Sequence, residues 1–413
     1  MIRCLLVGVS LPFLPYQKVE DYLSELSFLA ETSGAKEVER IIQKRDKIDA
    51  AYFIGEGKAK EIAEKCSKEK ISLVIFDDEL SPSQVKNLEK VIGVKILDRT
   101  GLILDIFAKR ARTREAQAQV SLAQYNYLLP RLTRAWGHLS RQAGGIGTRG
   151  VGETQLETDR RVIRKRIQRL NEEIEKITLR RDVQSRRREN TFICSLVGYT
   201  NVGKSTLMNV LTGSKLFAEN RLFATLDTTF RKLKTRAFSQ EILIVDTIGF
   251  IRKLPHSLVA SFKSTLSEIS NSDLLIYIID VSHPDYEEQF SVVKESIAEL
   301  GCFELPSLVL LNKCDIAPEG FVERASRMFP ESIPVSAKTL DNIDIVKKTI
   351  IKEAEKSFKG KLFKIPLEKI EDYLKLKDKV TILSEKYFND YLKVEARGRT
   401  EILSLIEELS KKT

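Results

Sequence analysis

The sequence predicts a multidomain α/β fold: two α/β domains separated by an arginine-rich helical hairpin and followed by a small α+β appendage. Three observations carry this expectation. Short apolar runs alternate with amphipathic stretches on both sides of the middle of the chain, as in layered α/β domains. Between them, apolar residues recur at coiled-coil intervals within a segment dominated by arginine. In the second α/β region a glycine-containing turn stands between a strand pattern and a helix pattern. The 413 residues fit two to four domains at roughly 100–200 residues each. The expected boundaries are 1–112, 113–189, 190–356 and 357–413.

Composition narrows the class. Hydrophobic residues make up 42%, enough for real cores, and no apolar run reaches the ~18–20 residues that span a bilayer. An integral membrane protein and a disordered chain are thereby both set aside. Arg3 and the apolar run Cys4–Pro15 imitate an export leader only faintly. Pro12 and Pro15 interrupt the run and no small-residue cleavage site follows, so a buried first strand is expected. Five scattered cysteines without a CxxC pair point to reduced thiols and a cytoplasmic protein.

In residues 1–112 the strand candidates are Ile2–Val9, Ala51–Ile54, Leu73–Asp77 and Val94–Leu97. Helical patterns cover Lys18–Ala30, Lys58–Ser67, Ser83–Val91 and Leu102–Arg110. Gly55-Glu56-Gly57-Lys58 has the wrong spacing for a phosphate loop and reads as a strand-to-helix turn.

The hairpin is expected from Arg114–Tyr127 and Thr158–Gln184, with Pro130 ending or disturbing the first helix. Leu156, Ile163, Ile167, Leu170, Ile174 and Ile177 form its seam. Residues 106–190 carry 20 Lys and Arg against 9 Asp and Glu, which is more than the whole net charge of +10. Seventeen of those cations are arginine, whose planar fork binds phosphate oxygens in pairs and stacks on bases. Nucleic acid is therefore the favoured partner, with an acidic membrane surface as the competitor. The seam is narrow and consumed by helix pairing, which leaves no broad apolar face for a bilayer. The connecting stretch holds Gly144, Gly145, Gly147, Arg149, Gly150 and Gly152. Five glycines in nine residues exceed the needs of a turn and suit close approach to an RNA backbone.

In residues 190–356, strands are expected at Phe192–Val197, Ile242–Asp246, Leu274–Asp280, Leu308–Asn312 and Ile333–Val335. The first runs into Gly198-Tyr199-Thr200-Asn201-Val202-Gly203-Lys204-Ser205, a complete phosphate-binding loop opening a helix. Its glycines let backbone N–H groups face phosphates, Lys204 neutralises the β and γ oxygens, and Ser205 offers a hydroxyl to Mg²⁺. Asn312-Lys313-Cys314-Asp315 selects the base, because the Asp315 carboxylate can accept both N1–H and N2–H₂ of guanine. Ser336-Ala337-Lys338 adds backbone contact to the base oxygen. Asp246-Thr247-Ile248-Gly249 supplies an acid for a magnesium-bound water and an N–H for the γ-phosphate. Thr225, within Phe223-Ala224-Thr225-Leu226-Asp227, is the second hydroxyl candidate for the metal. The set specifies GTP with Mg²⁺. Nothing chemical stands out after Ser357.

The whole chain resembles the HflX family of ribosome-associated GTPases. In the first domain the resemblance rests on Phe76-Asp77-Asp78-Glu79-Leu80-Ser81-Pro82 and Asp98-Arg99-Thr100-Gly101-Leu102-Ile103-Leu104-Asp105. In the centre it rests on Gly144 to Gly150 and Gly152-Glu153-Thr154-Gln155-Leu156-Glu157-Thr158-Asp159-Arg160-Arg161. Phe250-Ile251-Arg252-Lys253-Leu254-Pro255-His256 completes it. Val151 and Thr228 stand where the family usually has proline; neither change removes a group the chemistry needs. The resemblance implies a P-loop GTPase domain, binding to the large ribosomal subunit and its RNA, and separation of stalled ribosomes into subunits. A GTP-gated assembly factor on precursor RNA is the alternative. A monomer is expected.

Many GTPases place a glutamine directly after Asp-x-x-Gly to orient the attacking water. Here Phe250 stands there, so intrinsic hydrolysis is expected to be slow. In GTPases that this chain resembles, an asparagine at the Asn201 position helps to hold a K⁺ ion, which would supply part of the missing positive charge.

The base assignment gives a first test. Asp315→Asn should weaken GTP binding and relax the choice of base, since charge-assisted hydrogen bonds contribute about 1.5–3 kcal/mol each. Competition of GTP against ATP for the variant is the readout, and an unchanged preference would sink the assignment.

Overall fold

The computed structural model describes residues 2–135, 151–186, 190–214, 222–223, 226, 228–235, 238, 240–255, 258, 261–262 and 268–410. The chain divides into two compact units. The first comprises Met1–Ile177 with Glu219–Asp227 and Lys253–Lys263. The second comprises Thr178–Ala218, Thr228–Arg252 and Ser264–Thr413.

Among the described residues the first unit is built on a parallel sheet of order β2-β1-β3-β4. Its strands are β1 (Ile2–Ser10), β2 (Ala35–Lys44), β3 (Leu73–Phe76) and β4 (Lys95–Asp98), with helices α1 (Tyr16–Ser33), α2 (Glu56–Glu69), α3 (Pro82–Ile92) and α4 (Arg99–Arg110). Leu5, Val7, Val74 and Phe76 pack with Ile62 and Leu88 into one core. One expected strand is displaced. Residues 51–54 form no strand, because Asp49 Oδ1 accepts from the N–H groups of Ala51 and Tyr52 and Phe53 takes a positive φ of 66°. The edge strand is instead β2, whose sequence AKEVERIIQK sets charged residues side by side and apolar ones side by side, without the alternation that marks a strand, and so hid its extended state.

Asp98 is the hub of this unit. It caps α4 by accepting from the Gly101 N–H at 2.8 Å, and it accepts from the Leu80 N–H at 3.1 Å. The Tyr127 hydroxyl donates to it at 2.7 Å and the Arg131 guanidinium at 2.9 Å, all with Asp98 fully buried. Next to it, the buried Arg99 donates to Asp77 at 2.8 Å and to Glu25, while Lys253 Nζ donates to the other Asp77 oxygen at 3.1 Å and to Asp78.

Tyr127 and Arg131 belong to α5 (Arg114–Ala135), which runs straight through Pro130. Of the two outcomes expected of Pro130, that it ends the helix is corrected here. A proline inside a helix costs about 3 kcal/mol. The bonds of Tyr127 and Arg131 to Asp98 flank it and offset that cost, helped by the Arg131 guanidinium lying 3.4 Å from the Tyr127 ring centroid. Its partner α6 (Val151–Arg186) brings Ile167, Leu170 and Ile174 against Ala118, Leu122 and Tyr125. The helices thus run antiparallel along the expected seam. Gly144, Gly145, Gly147, Arg149 and Gly150 lie outside the described residues, and Gly152 lies in the first turn of α6.

The second unit carries a sheet of order β10-β9-β8-β5-β7-β6 among the described residues. It consists of β5 (Thr191–Gly198), β6 (Thr229–Lys232), β7 (Glu241–Asp246), β8 (Leu274–Asp280), β9 (Ser307–Asn312) and β10 (Ile333–Pro334). All pairings are parallel except β6 with β7. β6 reads Thr-Phe-Arg-Lys and is half exposed at the edge, so it left no apolar run in the sequence. Among the described residues, helices α7 (Lys204–Thr212), α8 (Tyr286–Glu299), α9 (Phe321–Met328) and α10 (Ile343–Ser357) belong to this unit.

The chain closes with β11 (Phe358–Pro366), α11 (Ile370–Lys377), β12 (Thr381–Tyr387), β13 (Tyr391–Arg399) and α12 (Thr400–Ser410), an antiparallel sheet of order β11-β13-β12. Phe363, Ile365, Tyr373, Val394 and Ile406 form its core. Arg399 anchors it within the second unit, with a fork onto Asp273 at 2.6 and 2.8 Å and a bond to Thr191 O at 2.9 Å.

Removing the Asp98 carboxylate would strand the Arg131 cation and the Leu80 N–H in a buried place. Asp98→Ala should therefore cost about 3–5 kcal/mol, and Arg131→Met, which leaves Asp98 three donors, about 1–2 kcal/mol. Urea unfolding followed by far-ultraviolet circular dichroism measures both. A loss below 1 kcal/mol for Asp98→Ala would show that the hub is not what holds α4 and α5 to the sheet.

Candidate functional site

In open parallel sheets, ligands bind beyond the carboxyl ends of the strands. β5, β7 and β9 end here on Gly198, Asp246 and Asn312, which the sheet register brings to one edge. The phosphate loop leaves β5 at Gly198 and enters α7 at Lys204. Two of its residues adopt left-handed backbone, Asn201 at φ 63° and Gly203 at φ 97°. A side chain on Gly203 would also run into Asn312 Nδ2, so glycine is required there on both counts.

The Asp246–Gly249 segment closes onto this loop. The Thr200 N–H donates to Phe250 O at 2.8 Å, the Phe250 N–H to Gly198 O at 3.2 Å, and the Arg252 N–H to the Tyr199 hydroxyl at 2.8 Å. A Cβ on Gly249 would stand 2.9 Å from both Thr200 Cα and Lys204 Nζ. No other residue permits that approach.

Lys204 is buried and donates to Gly198 O at 3.1 Å and Tyr199 O at 2.8 Å. Burial pushes its ammonium down to about 8, against the smaller upward pull of Asp246. Ser205 Oγ donates to Asp246 Oδ2 at 2.6 Å. A hydroxyl and a carboxylate thus converge as hard oxygen donors, the chemistry that suits a magnesium ion. Thr247 Oγ1 holds the segment by donating to Leu196 O at 2.6 Å, and Ile248 is buried beside it. The buried Thr200 Oγ1 has no hydrogen-bond partner among the described residues. An incoming phosphate oxygen would satisfy it.

Asn312 ties the two halves of the site together. Its Nδ2 donates to Val202 O at 2.7 Å, and its Oδ1 accepts from the Ala337 N–H at 3.1 Å. Lys313 takes φ 63° and pairs with Asp280 at 2.6 Å. The Cys314 N–H donates to Val335 O at 3.2 Å, and Asp315 is left exposed at the rim. Ser336 is fully buried and its Oγ accepts from the Lys338 and Thr339 N–H groups at 3.3 and 3.0 Å, which folds 336–339 into a tight turn. Ser205, Asp246, Asn312 and Ser336 therefore stand along one edge, as their order in the chain suggested.

Ala224, Thr225 and Asp227 lie outside the described residues. Phe223 and Leu226 are buried within the first unit, with the Phe223 ring edge-on to Phe107 at 4.6 Å. Asp280 was not singled out from the sequence. Its signal was positional, since it ends β8 and its register partner on β9 is Asn312.

Comparison with known proteins agrees with this geometry. Residues 20–108 match the family model described as GTP-binding GTPase N-terminal, and 110–188 the GTP-binding GTPase Middle Region. Residues 193–313 match the 50S ribosome-binding GTPase model. The chain is 45% identical over 388 residues to GTPase HflX of Caldanaerobacter subterraneus subsp. tengcongensis, spanning 93% of this chain and 89% of that one. The chain belongs to the HflX family of GTPases. It is also 44% identical to GTPase HflX of Escherichia coli K12, over 81% of this chain and 79% of its relative. The corresponding figures for GTPase HflX of Flavobacterium psychrophilum are 48%, 76% and 75%. As an HflX-family GTPase the chain hydrolyses GTP. Among the described residues no helix is long and apolar enough to cross a membrane.

The state of Lys204 makes nucleotide affinity depend on pH. Its ammonium loses the proton near pH 8 in the free protein, and the phosphates of a bound nucleotide raise that value again. Binding above pH 8 therefore takes up a proton. Affinity should be flat below pH 8 and fall by up to about tenfold per pH unit above it, hence about tenfold from pH 7 to pH 9. Titration of a fluorescent GTP analogue across this range checks the sign, and a flat profile to pH 9.5 would contradict it.

Proposed function

We propose that this chain is a Mg²⁺-dependent, monomeric GTPase of the cytoplasm that binds the large ribosomal subunit and splits stalled ribosomes into subunits. The observation that carries the reading is the convergence of the phosphate loop, Asp246 and the Asn312 strap on one sheet edge, in the same chain as an arginine-rich antiparallel helix pair. The match of residues 193–313 to the 50S ribosome-binding GTPase model supports it.

Each residue has a defined role in this reading. In the loop from Gly198 through Tyr199 and Thr200 to Ser205, the N–H groups of Asn201, Val202, Gly203, Lys204 and Ser205 surround the phosphates, and Lys204 neutralises the β and γ oxygens. Ser205 and Thr225 would hold the magnesium ion through their hydroxyls, with Asp246 orienting one of its waters; the ion supplies charge neutralisation between the phosphates. Gly249 offers its N–H to the γ-phosphate. Asp315 reads the guanine edge, Asn312 keeps that strap locked to the phosphate loop, and Lys313, Cys314, Ser336, Ala337 and Lys338 complete the base pocket. The segment Phe223–Asp227 with Thr225, and Thr247–Gly249, respond to the γ-phosphate.

Hydrolysis is slow in the isolated protein, because the buried Phe250 ring cannot orient water as an amide would. Asn201 helps to hold K⁺ as a partial substitute. Binding to the large subunit, with Gly144, Gly145, Gly147, Arg149, Gly150 and Gly152 on its RNA, orders the γ-phosphate-responsive segments and speeds the step.

Sedimentation separates this reading from the assembly alternative. Intact ribosomes incubated with the protein and a non-hydrolysable GTP analogue should convert to subunits, with the protein on the large one. Co-migration with precursor particles alone, and no loss of intact ribosomes, would favour a GTP-gated assembly factor instead.

A further inference from the structure

The C-terminal sheet has one covered face and one open face. Val394 and Ala396 of β13 turn toward α11 and α12, and so do Phe363 and Ile365 of β11. The opposite face carries the alternate residues. Its register sets Lys364 across from Lys393, and Lys393 across from Lys386. Three ammonium groups thus form one row across three strands, about 10 Å wide at the usual strand spacing. The numbers 364, 386 and 393 are scattered in sequence, and only the strand order β11-β13-β12 collects them.

No hydrogen bond or ion pair joins any of these three lysines to a described residue. Like charges facing each other across strands destabilise a sheet, so the row calls for an external anion. Aromatic rings stand directly beside it. Tyr391 occupies the next outward position of β13, and Lys364 Nζ lies 5.5 Å from its ring centroid. Phe388 stacks on Tyr391 with centroids 4.9 Å apart and planes 12° apart, and it is 45% exposed. A stacked ring pair with a half-exposed Phe388 is thereby set next to three cations that have no carboxylate partner among the described residues. The single carboxylate in the adjoining row is Glu395, which accepts from Ser384 Oγ at 3.4 Å. At the far end of this face Arg399 is committed to Asp273 and the Thr191 carbonyl, so the free part is the lysine and aromatic end.

We propose that this face binds single-stranded RNA, with the three lysines on consecutive phosphates and Phe388 as a platform for an unpaired base. Cations that follow a backbone beside rings that accept any base are the common elements of single-strand recognition on sheets. An acidic peptide would use the lysines and leave the rings without a role. Duplex RNA keeps its bases stacked and offers nothing to Phe388. The surface belongs to a different stretch of the chain from the central segment, and the proposal does not depend on the ribosome reading.

The test uses the full-length protein and a fluorescein-labelled decamer of uridine, read by anisotropy at several salt concentrations. To reduce the contribution of the central segment, all variants are made in an Arg149→Ala background. The Lys364→Gln, Lys386→Gln, Lys393→Gln triple variant should bind at least tenfold more weakly, with the salt slope reduced by about two, since each single-strand phosphate contact contributes about 0.7. Phe388→Ala should weaken binding several-fold and Phe388→Trp restore it. Unchanged GTP-analogue affinity and thermal midpoint would show that the fold is intact. Decamer affinity unaffected by the triple variant would overturn the proposal. So would an inert Phe388→Ala, or a poly-glutamate peptide or RNA duplex bound as tightly as the decamer.

Discussion

The nucleotide site depends on how closely separate pieces of backbone approach one another at the carboxyl edge of the second sheet. Gly249 touches Thr200 with no room for a methyl group, and Gly203 leaves only space for the Asn312 amide. That closeness lets Phe250 zip onto the loop through Thr200 and Gly198, and lets Lys204 lie buried against two loop carbonyls. The carbonyls satisfy the ammonium where phosphate oxygens would otherwise do so. A loop braced in this way is pre-shaped, and little ordering entropy is left for the ligand to offset.

The legible part of this architecture was the part written in contiguous residues. The phosphate loop, the Asp246 segment, the Asn312 strap and the heptad seam each occupy one short stretch whose chemistry and spacing are read together. The parallel strands of the second unit were equally clear, since burial on both faces demands unbroken apolar runs such as Leu274–Asp280. Edge strands were not. β2 and β6 face water on one side and carry charge accordingly, so their sequences resemble helix or loop. Pro130 misled for a different reason, because local propensity yields where tertiary bonds on both flanks outweigh it.

Contacts between residues far apart in sequence were the least legible. Nothing in the string connects Asp98 with Arg131, or Asp77 with Lys253, yet these pairs, each on a buried carboxylate, fasten the first unit together. The row of lysines on the last sheet is invisible for the same reason. The two cases differ in what they do with charge. In the first unit every hub carboxylate meets a cation inside the protein, whereas the lysine row of the terminal sheet meets no carboxylate among the described residues.

The length of the hairpin helices has a consequence of its own. At 1.5 Å per residue the 36-residue α6 is about 54 Å long, and among the described residues Ile167, Leu170 and Ile174 lock it to α5. Such a pair behaves as a ruler. Inserting seven residues into each helix, past Arg131 on α5 and ahead of the packed seam on α6, would keep every apolar contact in phase and the Asp98 hub intact while lengthening the rod by about 10 Å. Reach and stability can therefore vary independently in this fold. Chains that differ by whole heptads there would share one packing and serve partners of different depth.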